Sequence, residues 1–204
     1  DHAILLDTSD LSYEYAPLEL PHQKIIVTNS QKARLAVDER YQERQAQCQE
    51  ALHDLQTVIA IQNLSELTAD VFEQVQEMIR RPVCLRRARH AVTENQRTIQ
   101  AVEALNKGDI REFGQLMNAS HLSLKEDFEV SCEELDILVE EAWEIEGVLG
   151  SRMMGAGFGG CTVSIVENDA VNEFVSRVGT HYKERTGRTA EFYIMETGNG
   201  ASEV

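Results

Sequence analysis

Gly155-Ala156-Gly157-Phe158-Gly159-Gly160-Cys161-Thr162-Val163-Ser164-Ile165-Val166 places four glycines in six residues directly ahead of a β-branched run. Cys161 to Val166 reads as a strand, and the glycines as the connection that enters it. As a string the glycines satisfy G-x-G-x-x-G. A dinucleotide site needs a strand before them and a helix after, so that the helix N-terminus receives the pyrophosphate. The order here reads as reversed, helix before and strand after, and no G-K-S/T follows for a Walker-type loop. Two readings of the loop stay open at this level. It is a tight connector with positive φ and close backbone packing, or a bare backbone lying against a ligand or a phosphate-holding loop.

Outward from the loop, a helix is expected from about Asp169 to Lys183 and a last strand from Glu191 to Met195. Ser131 and Glu134 read as an S-x-x-E capping box ahead of the apolar positions Leu135, Leu138, Val139 and Ala142. A long helix is expected after Pro82, ended by Gly108, with Asp109 as N-cap of the next. Tyr41, Cys48, Leu52, Leu55 and Ile59 share one helical face, and shorter helical stretches fall between Leu64 and Ile79. The start reads as strands: Ala3 to Asp7, Ser12 to Ala16 and Lys24 to Thr28. Early strands, a helical middle and a β-α-β ending predict an α+β fold, an antiparallel sheet with helices packed on one face. No internal repeat is present.

The 204 residues carry 35 acidic and 19 basic side chains, a net charge of −16. That field repels phosphate backbones, which argues against a nucleic-acid partner. The basic run Arg80, Arg81, Arg86, Arg87, Arg89 reads as a solvated helix face rather than an anion site. Cys48, Cys84, Cys132 and Cys161 are scattered without ligand spacing, which predicts no metal site and a reduced, cytoplasmic setting. No stretch has the length of a membrane span. The sequons at Asn63 and Asn118 read as chance. His90 and Glu94, one turn apart, read as a helix-surface pair, and Met117, His121, Met153 and Met154 as packing. The chain opens on Asp1 with a β-like run at once, which reads as a cut inside a larger protein.

The longer string Gly150-Ser151-Arg152-Met153-Met154-Gly155-Ala156-Gly157-Phe158-Gly159-Gly160-Cys161-Thr162-Val163 resembles the third conserved motif of the GHMP small-molecule kinases, in its galactokinase form. Arg87-Ala88-Arg89-His90-Ala91-Val92-Thr93-Glu94-Asn95 and Phe128-Glu129-Val130-Ser131-Cys132-Glu133-Glu134-Leu135-Asp136 are similar to further segments of that family. So is Asn29 followed by Tyr41-Gln42-Glu43-Arg44-Gln45-Ala46-Gln47-Cys48. The resemblance runs from about residue 2 to residue 196.

The resemblance implies a GHMP kinase C-terminal domain with a ferredoxin-like core and extra helices over residues 31–204. Residues 1–30 are then strands continuing from an N-terminal domain that is missing. It implies transfer of the γ-phosphoryl group of MgATP to the anomeric hydroxyl of D-galactose, a reaction run mostly by positioning and charge stabilisation. The alternatives within the fold are an N-acetylgalactosamine kinase and a non-catalytic galactose- and ATP-sensing regulator. The family's catalytic base, phosphate loop and magnesium ligands have no counterpart in these 204 residues, so the chain alone is expected to be inactive. Tyr41 matches the tyrosine that hydrogen-bonds the sugar, a role that suits a phenol with a packed ring and a polar tip. The loop Gly155, Ala156, Gly157, Phe158, Gly159, Gly160 matches the motif beside the phosphate loop and the sugar pocket, in a supporting role. The implied partners are galactose and ATP, held together with the missing N-terminal half, and neither nucleic acid nor a membrane.

Overall fold

A computed structural model describes residues 2–34 and 37–198. Three strands come first: β1 (His2–Leu6), β2 (Tyr13–Pro17) and β3 (Gln23–Asn29). Five helices follow: α1 (Val37–Leu55), α2 (Ala69–Val75), α3 (Pro82–Asn106), α4 (Ile110–Glu126) and α5 (Glu133–Trp143). The chain then runs through β4 (Val148–Met153), β5 (Cys161–Glu167), α6 (Val171–Thr186) and β6 (Glu191–Met195). Short 3-10 turns flank α2 and precede α6. Among the described residues β1 and β2 pair only with each other, while the other four strands form an antiparallel sheet in the order β4-β5-β3-β6. With β3 taken as first strand, this is the β-α-β-β-α-β ferredoxin-like arrangement, its first crossover expanded to five helices. β3 lies before residue 30 yet is the inner strand between β5 and β6.

Alternation along β3 and β5 sends Ile26 and Val166 to one face, where α5 and α6 cover them. Ile137, Leu138, Phe174, Val178 and Tyr182 complete this core. A second cluster is mostly helical, joining Ala51, Leu52 and Leu55 of α1 to Phe72, Cys84, Ala88 and Val92. A third, smaller one gathers Leu124, Val130, Leu135, Met153 and Phe158, where α4, α5 and β4 meet the glycine loop. The α+β architecture with α5 and α6 on one face agrees with the sequence. α4 does something else: it runs along the β4 edge. Asn118 Oδ1 accepts from the Ser151 N–H at 2.8 Å and His121 Nδ1 from the Met153 N–H at 3.2 Å. These side chains satisfy outward donors that an open edge strand would leave free.

Most expected boundaries hold. Asp109 caps α4 by accepting from Glu112 N at 2.9 Å. Three expectations need correction. A strand, β4, precedes the glycines where a helix was read, because Val-Leu-Gly-Ser-Arg-Met has no clear alternation and its strand state depends on pairing with β5. A strand still follows them, so the dinucleotide arrangement remains absent. The Ser131–Glu134 capping box does not form, since α5 has Cys132 as N-cap with no side-chain bond. Ser131 Oγ instead donates to Asp136 and Glu134 accepts from Lys32 Nζ, so tertiary partners take both side chains. Ile59 falls past the end of α1, in a turn. Among the described residues no helix is long and apolar enough to cross a membrane.

Candidate functional site

Tyr41 sits in the second turn of α1, with its ring between two phenylalanines from distant parts of the chain. Phe128, from the α4–α5 connection, meets it edge-on at 6.4 Å and 74°. Phe158, from the glycine loop, does so at 6.3 Å and 89°. Such T-shaped pairs match a ring's positive edge to its neighbour's negative face. The Arg40 guanidinium lies 4.8 Å over the Phe158 ring, a cation–π contact. Tyr41 stays 37% exposed, so its ring is braced while part of the side chain faces solvent. It lines an open cleft of about 520 Å³ with Asp38, Gln42, Arg44, Gln45 and Phe128.

The glycine loop is held by backbone contacts on two sides. The Phe158 N–H donates to Val130 O at 2.8 Å, and Phe158 itself adopts φ 57°. On the other side Ser30 N and Ser30 Oγ donate to Gly160 O at 2.9 and 2.7 Å, and Gly160 N donates to Lys32 O at 3.2 Å. Tyr182 fixes Ser30 in turn, donating to its carbonyl at 2.6 Å. Arg34 reaches the loop, its Nε donating to Gly159 O at 3.3 Å. A Cβ on Gly160 would meet Arg34 Nη2 at 2.4 Å, so the missing side chain is what admits the guanidinium. Gly157, Phe158 and Gly159 are buried, whereas Gly155 is exposed and Ala156 half-buried.

Sequence reasoning thus named two of the three parts that meet here, Tyr41 and the loop. It quoted Phe128 without giving it a role, and nothing in the periodicity of that short connection marks it. The basic run was misread for Arg87, which is 1% exposed. Arg87 Nη1 donates to Asp127 O at 2.5 Å, Nη2 to Glu129 Oε2 at 2.5 Å and Nε to Gln47 Oε1 at 2.8 Å. Hydrogen bonding from Arg87 holds the Glu129 carboxyl below its ordinary range, against the opposing effect of burial. His90 was also misread as a surface residue. Its ring stacks on Phe128 at 4.5 Å, its Nδ1 lies 2.9 Å from Ser123 Oγ, and burial pushes its pKa down to about 4. Glu94 accepts from Ser120 and Arg97 rather than from His90. Among the described residues no three His, Cys, Asp or Glu side chains converge to hold a metal ion.

Comparison with known proteins decides what this assembly is related to. Residues 101–184 match the family described as "GHMP kinases C terminal". Over its whole length the chain is similar to the galactokinase of Levilactobacillus brevis, 50% identical over 204 residues, covering all of this chain and 53% of that protein. The Fusobacterium nucleatum galactokinase is 53% identical over 205 residues, with the same coverage. The crystal structure of Lactococcus lactis galactokinase complexed with galactose aligns with a TM-score of 0.93 at 44% identity, over 100% of this chain and 52% of that one. An L. major mevalonate kinase in complex with R-mevalonate, at TM-score 0.60 and 20% identity, shares the fold. The chain spans about half the length of the curated relatives that it matches.

Proposed function

We propose that this chain is part of a galactokinase, which moves the γ-phosphoryl group of ATP to the anomeric hydroxyl of D-galactose. One observation carries the reading: all of this chain aligns with 52% of a galactokinase complexed with galactose, at a TM-score of 0.93. Tyr41 supplies a hydroxyl to a sugar hydroxyl at the open cleft, and its ring is steadied by Phe128 and Phe158. The glycine loop supports that wall without touching the reacting atoms. Magnesium, when bound with ATP, neutralises phosphate charge and orients the γ-phosphoryl group. The described residues supply no carboxylate cluster for it, so no step is assigned to the ion here. The catalytic base and phosphate loop belong to residues beyond these 204. The four cysteines are free thiols, which suits a reduced cytoplasmic setting.

A sugar-panel assay on the intact protein with MgATP tests this. Selective ADP release with galactose, over glucose and N-acetylgalactosamine, is the expected result. Galactose binding without turnover, or turnover of another sugar alone, would refute the assignment.

A further inference from the structure

We infer that Arg87 is a positioning residue for the sugar site: with Arg44 it grips the Asp127–Glu129 connection, whose Phe128 sets the place of the Tyr41 ring. The inference rests on the sugar-contact reading of Tyr41 and adds a residue that does not line the cleft. The Asp127, Phe128 and Val130 N–H groups turn back onto Ser123 O and Leu124 O of α4, and Glu129 takes the left-handed φ of 54°, which leaves the carbonyls of Asp127, Phe128 and Glu129 to be held from outside. These carbonyls are taken by two guanidinium groups. Arg44 Nε donates to Phe128 O at 2.7 Å and Nη2 to Glu129 O at 3.2 Å. Arg87 holds Asp127 O and the Glu129 carboxylate, and Arg86 adds a second bond to that carboxylate at 2.8 Å.

Arg44 lies three residues after Tyr41 on α1, about one helical turn away. The turn that carries the tyrosine is therefore bonded to the backbone that carries Phe128. Between them the Phe128 ring is pinned, with the His90 ring stacked on it and the Tyr41 ring edge-on to it. Arg87 is the inner half of the grip because its planar fork reaches a carbonyl, a carboxylate and the Gln47 amide oxygen at once. A lysine at the same place offers one point charge and cannot hold all three.

The test uses the intact protein labelled with 3-fluorotyrosine, the Tyr41 resonance being identified by its loss in Tyr41→Phe. Arg87→Lys is expected to shift or broaden that resonance without sugar present. It should raise the galactose KM by roughly tenfold while leaving the ATP KM within about twofold. Glu129→Gln, at the half-exposed end of the grip, should move both readouts in the same direction by less, and it serves if Arg87→Lys does not fold. In the Tyr41→Phe background the effect on galactose KM should largely disappear, since coupled residues are not additive. An unmoved Tyr41 resonance in both variants, or galactose and ATP constants rising together, overturns the inference. Tyr41→Phe with unchanged galactose KM refutes the sugar contact instead, so the two failures are told apart.

Discussion

A methyl group on Gly157 would stand 2.1 Å from Val130 O and 2.9 Å from the Met153 terminal methyl, at a backbone φ of 76°. The first neighbour is backbone that also accepts the Phe158 N–H, so neither side can yield without losing that bond. Gly157→Ala in the intact protein is expected to cost roughly 2–3 kcal/mol and to displace Phe158 from Tyr41. Thermal melting and the galactose KM check this, and an unchanged pair of values would reduce the loop to a connector. His90 gives a prediction of a different kind. Its folded pKa of about 4 lies below the ordinary 6.5, so the unfolded chain takes up a proton first as pH falls. The stabilisation is complete above about pH 6.5 and is lost between there and about 4, up to roughly 3 kcal/mol. Comparison with His90→Gln should show a flatter denaturation profile for the variant across that window, and parallel profiles would contradict it.

At the scale of elements, the β4 edge shows what a sequence leaves unsaid. The strand after the glycines announces itself through Thr162, Val163, Ile165 and Val166, while β4 before them carries a glycine, a serine and an arginine. Its stability comes from β5 on one side and, on the other, from Asn118 and His121 of α4, which lie more than 30 residues away in sequence. The helices and their ends were legible because Pro82, Gly108 and Asp109 act locally. Arg87 and the failed capping box were not, because their partners lie across the fold. Asn118 Oδ1 also accepts from Trp143 Nε1 at 2.6 Å, so this part-buried side chain serves two donors. Asn118→Leu should leave both donors unpaired and destabilise the protein by roughly 2–4 kcal/mol, with early hydrogen exchange at Ser151. Unaltered exchange there would mean that the β4 edge is satisfied otherwise.

For the whole molecule, the strand order β4-β5-β3-β6 puts the glycine loop in the β4–β5 connection and the helical layer beside it. That topology brings Tyr41, Phe128 and Phe158 together from three segments, all of which resemble a kinase family in sequence, although only Tyr41 and the loop had a role to be read there. The hairpin of β1 and β2 exposes Ile4, Leu6, Leu11, Tyr13 and Tyr15, each more than half accessible. On the proposed function, this chain builds one wall of a sugar site and does not itself carry the groups that transfer phosphate. The direct test is to assay this chain and the intact protein side by side with galactose and MgATP. The account predicts turnover by the intact protein and none by the chain alone; turnover by the chain at the intact protein's rate would contradict it.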